Sequence, residues 1–410
     1  MIEYWRLQRE QWLPADEVRR RQWARLETIL QHAFDNSTFY RRKLDESGIK
    51  PEDIRDLSDL QRLPVTTRED LREADGMIAS GNSKSRLKRS HTSGSTGRVT
   101  TTYFDRRAWR TGKILLKLRA RVACGVRPWD RIALFQEGQP PNSWRRQRIL
   151  RQRSFSILEA LPEILPEVQS YAPTVLYGFP SYLMRLGQIA EGKIAPRFIF
   201  TSGEMLDGET RRTIEKHFRA PVFDVYGCTE LKEIAWECPA RKGYHINSDQ
   251  LIVEVQRPED LTNGTTSPLL VTSLYNFGMP LIRYRLGDTG RLIEGSCPCG
   301  RGFPLMVPNL GRSVDYFVLP DGRTVSPYAM TCAIENVQGL GQYQIVQQAS
   351  DQVVVRVVPL LQADPLIEKQ IDRALSPILP GTRVSVHFVD TIEREPSGKY
   401  RIVVSHVPKS

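Results

Sequence analysis

Long apolar runs are missing from this 410-residue chain. No stretch approaches the ~18 residues that a membrane helix needs. Cysteine is scarce: six residues in a chain of this length do not make a disulfide scaffold. Internal repeats and low-complexity tracts are absent, and the composition sets aside a disordered or collagen-like chain. The opening residues, MIEYWRLQREQWLPADE, mix both charge signs without an apolar core, so no signal peptide is expected and a cytoplasmic location follows. What is present is ordinary for a folded protein, with 40% hydrophobic and 26% charged residues. The length suggests two or three domains at roughly 150 residues each.

The charge is less ordinary. The net +11 is concentrated, because residues 84–153 hold 19 Lys and Arg against three acids, Asp105, Asp130 and Glu137. That block alone is +16, which leaves about −5 for the rest (11 − 16). A concentrated cationic block points to an anionic partner: nucleic acid, a phosphorylated cofactor or an acidic carrier protein. Solvated helix faces are the bland alternative.

Residues 16–75 read as helical and polar, with Trp23, Leu26, Ile29, Leu30 and Ala33 at helical spacing in Val18 to Phe34. Thr66-Thr67-Arg68-Glu69 after Pro64 predicts a capped helix start. From 90 to 310 short apolar runs alternate with helical patterns. Ile132 to Phe135, Val175 to Tyr177 and Arg197 to Phe200 predict strands, the last running into Thr201-Ser202-Gly203-Glu204. A helix from Asp207 to Phe218 and a strand from Val222 to Val225 follow, with later strands at Leu251 to Val255 and Leu269 to Leu274. Strand, glycine turn, helix, strand is the pattern of α/β architecture, with sites at strand C-terminal ends. Beyond about 311 the texture changes. A strand at Val353 to Val358, an amphipathic helix at Pro365 to Leu379 and a period-two strand at Arg383 to Val389 predict a small α+β domain.

The motif richest in chemistry is Thr92-Ser93-Gly94-Ser95-Thr96-Gly97-Arg98. Glycines let backbone N–H groups turn toward phosphate oxygens, hydroxyls add donors, and Arg98 supplies charge. The GxxxxGK[ST] spacing of a Walker loop is absent. Taken alone the run is also what a flexible linker looks like. It is followed by Tyr226-Gly227-Cys228-Thr229-Glu230, by Tyr284-Arg285-Leu286-Gly287-Asp288, by Gly311-Arg312-Ser313-Val314-Asp315, and by Pro396-Ser397-Gly398-Lys399-Tyr400-Arg401. Each has an ordinary reading as well: a core tyrosine, capping carboxylates, a solvated lysine.

In this order and spacing the five elements resemble the adenylate-forming (acyl-CoA synthetase) superfamily, and most closely its phenylacetate–CoA ligase-like branch. The helical segment at 36–72 is similar to the opening of that branch, and the resemblance covers nearly the whole chain. It implies an α/β fold, with a large N-terminal AMP-binding domain over 1–311 and a small mobile α+β domain over 312–410. It implies ATP-dependent activation of a carboxylic acid through an acyl-adenylate, with thioester formation on coenzyme A. Thr92, Ser93, Gly94, Ser95, Thr96, Gly97 and Arg98 would wrap the phosphates, and Thr96 and Glu230 would hold Mg²⁺. Tyr226, flanked by Gly227 and Thr229, would stack on adenine, with Ser202, Gly203 and Glu204 along its edge. Asp288 would accept from the ribose hydroxyls, Arg312 would contact ribose or phosphate, and Lys399 would reach the α-phosphate and carboxylate as a point charge on a long stem. Three positions depart from the usual pattern. Arg98 stands where lysine is frequent, Leu286 where threonine is, and Val314 where an acidic or lysine hinge residue often sits, which leaves the pivot position open.

Cys238, His245, Cys297 and Cys299 form a second constellation. Three thiolates and an imidazole suit a closed, structural Cys₃His zinc site, and members of the branch resemble this arrangement. Four unrelated reduced side chains are the alternative. Cys124 and Cys332 read as core residues, and Cys228 as a neighbour of the acyl pocket. An aryl or arylacetic acid is the expected substrate. Tyr177, Phe179, Tyr182 and Trp236 suit either an aromatic pocket or the core. The acceptor stays open between coenzyme A, an amine and an acidic carrier protein. A non-catalytic nucleic-acid-binding role for the basic block lacks any supporting motif.

Overall fold

In a computed structural model the described residues are 2–81, 84–91, 101–136, 151–157, 159, 161–256, 267–309, 317–322, 324–325, 327–334, 337–359, 362–392 and 402–407. Thr92, Ser93, Gly94, Ser95, Thr96, Gly97 and Arg98, together with Arg312, Val314 and Lys399, lie outside them, as does the side chain of Cys332. The fold is mixed α/β, sheet-rich, with a smaller C-terminal sheet. The chain forms two compact units. One draws on residues 1–91, 100–126 and 223–311, the other on 127–222 and 312–410.

The first unit begins with helices Ile2–Glu10, Ala15–Asn36 and Thr38–Glu46. The long second helix starts directly after Pro14 and buries Val18, Gln22, Leu26, Ile29, Leu30 and Ala33, a stripe at helical spacing. It outruns the predicted segment at both ends. Ser37 stops it and caps the next helix, its hydroxyl accepting from the Tyr40 N–H at 3.3 Å. The helix expected after Thr66 is much shorter. Thr67 and Asp70 do cap each other, with Thr67 N–H on Asp70 Oδ2 at 2.7 Å and Asp70 N–H on Thr67 Oγ1 at 3.3 Å. Only the turn Asp70–Glu73 and the single turn Ala74–Met77 follow. The Gly76 carbonyl is already taken by the hydroxyls of Ser37 and Thr38, so it is diverted from a longer helical ladder.

These helices pack on seven strands in the spatial order Leu251–Val255, Ser267–Ser273, Tyr284–Ile293, Leu305–Asn309, Tyr244–Ile246, Lys232–Glu237, Val222–Cys228, with antiparallel neighbours. Leu26, Ile29 and Leu30 share one core with Ile252, Val271, Tyr284 and Met306.

A buried ion pair anchors the N-terminal helix. Arg119 is fully buried, and its guanidinium grips both carboxylate oxygens of Asp249, one of them at 2.7 Å. The same group donates to Asn247 Oδ1 at 2.8 Å and to the Leu7 carbonyl at 2.9 Å.

In the second unit four parallel strands lie in the order Phe198–Ser202, Val175–Gly178, Ile132–Gln136, Gln152–Ser156. Helices Leu161–Tyr171, Pro180–Ala190 and Gly208–Phe218 fall between strands or after them, as parallel crossovers require. Ile164, Val168, Leu183, Leu186 and Ile214 fill their core. The C-terminal part of this unit has strands in the order Arg383–Phe388, Gln352–Pro359, Leu340–Ala349, Val403–Ser405. Alternate residues Val353, Val355 and Val357 are buried against Ile367, Ile371 and Leu375 of helix Pro365–Leu375. That helix ends four residues before the predicted Leu379: Ser376 keeps helical dihedrals and donates to the Asp372 carbonyl, but Pro377 has no N–H with which to continue the ladder.

Asp249→Ala strands the Arg119 charge in the interior and is expected to cost about 3–5 kcal/mol. The check is urea unfolding followed by tryptophan fluorescence. Arg119→Met with Asp249→Leu is expected to recover most of that loss, since a buried pair exchanged for apolar residues is nearly neutral.

Candidate active site

The site is built on a hairpin. The strand predicted to end at Val225 continues through the motif to Cys228 and pairs with Lys232–Glu237, Tyr226 opposite Ala235 and Cys228 opposite Lys232. A bulge between Tyr226 and Gly227 tightens the turn. Only glycine fits there: a Cβ on Gly227 would lie 2.3 Å from the Lys232 carbonyl oxygen. Glu230 falls at the tip and is buried.

Strand Tyr284–Ile293 of the same unit holds the tip. The Tyr284 hydroxyl donates to Glu230 Oε1 at 3.2 Å, and the Tyr226 hydroxyl donates to Asp288 Oδ2 at 3.0 Å. Burial pushes the Tyr284 phenol up, and the Glu230 carboxylate adds to the rise, so it remains a donor. Two separate motifs, Tyr226 to Glu230 and Tyr284 to Asp288, are thus tied by two side-chain hydrogen bonds. One carboxylate at Glu230 suits Mg²⁺, which takes one or two protein carboxylates and keeps waters and phosphate oxygens for the rest.

Lys232, which sequence reasoning passed over, lies directly behind the tip. Its amine donates to the Thr229 carbonyl at 2.7 Å and to Ser90 Oγ at 2.5 Å. It sits 4.5 Å from the Phe104 ring centroid and 5.2 Å from that of Trp109. Burial, with the charge of Lys113 nearby, pushes it down to about 7. The only signal in sequence is a cation two positions beyond Glu230, too little to act on.

Ser202, Gly203 and Glu204 belong to the second unit, at the end of strand Phe198–Ser202. Gly203 takes φ +87°, and a Cβ there would meet the Phe179 ring at 2.7 Å. Glu204 is buried, and its oxygens accept the Ser181 N–H at 3.1 Å and the Ser181 hydroxyl at 3.0 Å. It therefore serves the positive N-terminal end of helix Pro180–Ala190, a structural task absent from the sequence reading. Tyr182 leans on Phe135, and Tyr177 stacks on Phe200, in the same unit.

The cysteine constellation converges. The ligand atoms of Cys238, His245, Cys297 and Cys299 all lie within 4.8 Å of one another. Cys238 Sγ to Cys297 Sγ is 3.6 Å, and Cys299 Sγ to His245 Nε2 is 3.3 Å. A tetrahedral ion with Zn–S of ~2.3 Å would space neighbouring ligands by roughly 3.5–3.8 Å, so the set fits zinc. His245 Nδ1 faces the Phe303 carbonyl at 3.3 Å, the outer contact that leaves Nε2 free to ligate. Trp236, considered for an aromatic pocket, is instead fully buried beside this cluster, between His245 at 5.1 Å and Arg301 at 5.3 Å. Cys124 is a core residue, its thiol on the Glu237 carbonyl, and Cys228 is half-buried in the motif hairpin.

Known proteins resemble this chain along most of its length. The family described as the CapK C-terminal domain matches residues 317–406. The phenylacetate–coenzyme A ligase of Thermus thermophilus is 28% identical, over 82% of this chain and 79% of the relative. That of Pseudomonas putida is 30% identical, over 74% of this chain and 72% of the relative. Among solved structures, a 2-hydroxyisobutyryl-CoA ligase in complex with 2-HIB-AMP and CoA superposes with a TM-score of 0.69 at 24% identity, covering 97% of this chain and 91% of that one. At that identity the likeness speaks for the fold. The class is thus that of the adenylate-forming enzymes. Within it, the chain belongs to the phenylacetate–coenzyme A ligase family.

Gly227→Ala forces the hairpin apart at the Lys232 carbonyl and is expected to cost about 1–3 kcal/mol. Thermal unfolding measures it. Hydrogen exchange should localise the loosening to Tyr226–Lys232.

Proposed function

We propose that the chain activates a carboxylic acid with ATP and transfers the acyl group to coenzyme A, with an aryl or arylacetic acid as the favoured substrate. The observation that carries this reading is family membership through phenylacetate–coenzyme A ligases matched over most of the chain. The tie between the Tyr226–Glu230 and Tyr284–Asp288 motifs supports it.

The first half-reaction brings a carboxylate to the α-phosphorus of ATP, two anions in one place. The task is positioning and charge screening. In this reading Thr92, Ser93, Gly94, Ser95, Thr96, Gly97 and Arg98 hold the phosphates, and Thr96 and Glu230 bind Mg²⁺. Tyr226 faces adenine, with Ser202, Gly203 and Glu204 at its edge. Asp288, which Tyr226 holds by a hydrogen bond, accepts from the ribose hydroxyls. Arg312 contacts ribose or phosphate, and Lys399 comes from a small domain over 312–410. Bound Mg²⁺ would neutralise phosphate charge, while Glu230, steadied by Tyr284, presents the ligand oxygen.

Zinc belongs to the same reading as a structural ion. Cys238, His245, Cys297 and Cys299 would hold it, and no chemical step passes through it. A thiol set that must stay reduced goes with a cytoplasmic location. No helix among the described residues is long and apolar enough to cross a membrane.

ATP–pyrophosphate exchange with Mg²⁺, run over aryl, arylacetic, fatty and amino acids, tests the activity. One acid class should support exchange, and Lys399→Ala should lower it about 10²–10³-fold, the usual cost of a group that stabilises transition-state charge. Absence of exchange with every acid would sink the proposal. Product mass after adding coenzyme A or amines identifies the acceptor. Metal analysis should find about one zinc per chain, the stoichiometry of a closed Cys₃His site. Cys297→Ser should lower both zinc content and melting temperature; metal-free protein that folds normally would remove the zinc claim.

A further inference from the structure

Lys232 is placed at a cost to the fold. Its backbone sits in the left-handed region at φ +63°, where a long side chain is strained. Its stem fits only because Gly112 has no side chain: a Cβ there would lie 2.6 Å from Lys232 Cγ. Gly112 itself lies in a π-helical turn, Thr111–Leu115, an irregularity that recurs at functional sites. The amine is buried, yet no carboxylate among the described residues comes within ion-pair distance of it. Buried cations are normally paired. A strained backbone, a widened helix and an unpaired interior cation all serve one side chain, and packing alone would be better served by methionine or leucine.

The two hydrogen bonds of the amine show where the strain is directed. One ends on the carbonyl of Thr229, the residue before Glu230. The other ends on Ser90, next to last in strand Lys88–His91, which leads directly into Thr92 to Arg98. Phe104 and Trp109 hold the amine from the side, the former on the strand paired with Lys88–His91. The tie therefore joins the backbone beside one nucleotide motif to the strand that leads into another.

We propose that Lys232 is a positioning residue for adenylation: it sets the Thr229–Glu230 backbone against strand Lys88–His91, so that the Glu230 carboxylate is held in register to meet MgATP. This rests on the function proposed above. Lys232 acts through Thr229 and Ser90 and does not touch the reacting atoms.

Lys232→Met keeps the stem and removes the donors. Its melting temperature should equal or exceed that of the parent, because an unpaired buried charge and its desolvation are gone. The stabilisation by MgATP in a thermal-shift titration should shrink. Exchange should lose on the order of 10- to 100-fold in kcat, the effect of a displacement near 1 Å, with a higher KM for MgATP and an unchanged KM for the acid. Ser90→Ala, which breaks the other end of the tie, should reproduce part of the loss and add nothing to Lys232→Met in the double variant. A Lys232→Met protein that unfolds, or that loses stability and keeps wild-type exchange, marks a structural lysine and overturns the proposal. So does a defect confined to the acid KM, which would place Lys232 against the substrate, or a Ser90→Ala protein with unaltered MgATP kinetics. Parent protein that neither responds to MgATP nor exchanges pyrophosphate fails at the proposed function instead, and the two failures are distinct.

Discussion

The close approach of the Gly227 backbone to the Lys232 carbonyl governs the motif hairpin. Without a Cβ in the way, the two strands cross the bulge at Tyr226–Gly227 and turn within a few residues. That tightness forces Lys232 into a left-handed conformation and sends its side chain inward. Gly112 and the aromatic pair Phe104 and Trp109 are then required to accept it. The same turn lifts Glu230 to the tip, where the Tyr284 hydroxyl reaches it. Placement of the buried Glu230 carboxylate is thus traced to one missing methyl group, by way of backbone geometry rather than charge.

The hairpin is fixed at its far end as well. Cys238 follows directly on strand Lys232–Glu237, and His245 lies on the next strand, so the thiol–imidazole cluster grips the base of the hairpin whose tip carries Glu230. Arg301 fills the space beside it, 4.3 Å from the Trp12 ring centroid and 5.3 Å from that of Trp236, and donates to Gln11 at 2.8 Å. Trp236 in turn donates to Asn247 Oδ1, the oxygen that Arg119 also uses. The turn after the N-terminal helix, the base of the hairpin and the buried Arg119–Asp249 pair form one connected polar network. Of its members, Arg119 keeps its Nε without a hydrogen-bond partner among the described residues, while its two terminal nitrogens are fully used.

The parts legible in sequence are those written in local pattern. Strand and helix positions followed from period and turn residues, within a few residues at the ends. The misses came where a tertiary contact took a group that local pattern left free, as when Ser37 and Thr38 occupy the Gly76 carbonyl. The convergence of Cys238, His245, Cys297 and Cys299 was legible because metal-ligand chemistry limits the residue types to a short list. Trp236 was not, since an aromatic residue carries no mark that separates a pocket wall from a core. Lys232 was invisible for a related reason: a lysine in sequence reads as surface, and only the strain, the glycine and the aromatic walls around it reveal a buried one. Glu204 shows the same limit from the other side, since its helix-capping bonds to Ser181 depend on a strand-to-helix contact.

The basic block shows how counting along a sequence differs from counting in space. Its +16 includes Arg119, neutralised in the interior by Asp249, and Arg107 and Arg110, both paired with Glu3. Lys117 pairs with Glu233 at 3.4 Å and Arg153 with Glu167 at 2.6 Å. These four acids all lie outside the window that made the block look uncompensated, so all of them belong to the −5 remainder. A field felt at a distance comes from exposed charges and fades within ~8–10 Å in salt. Among the described residues of the block, the exposed cations are spread along the sequence, from Lys84, Arg86, Lys88 and Arg89 through Arg106 and Lys113 to Arg127 and Arg151. The +16 counted along the sequence therefore overstates the charge that the block presents, and by itself it selects no class of anionic partner.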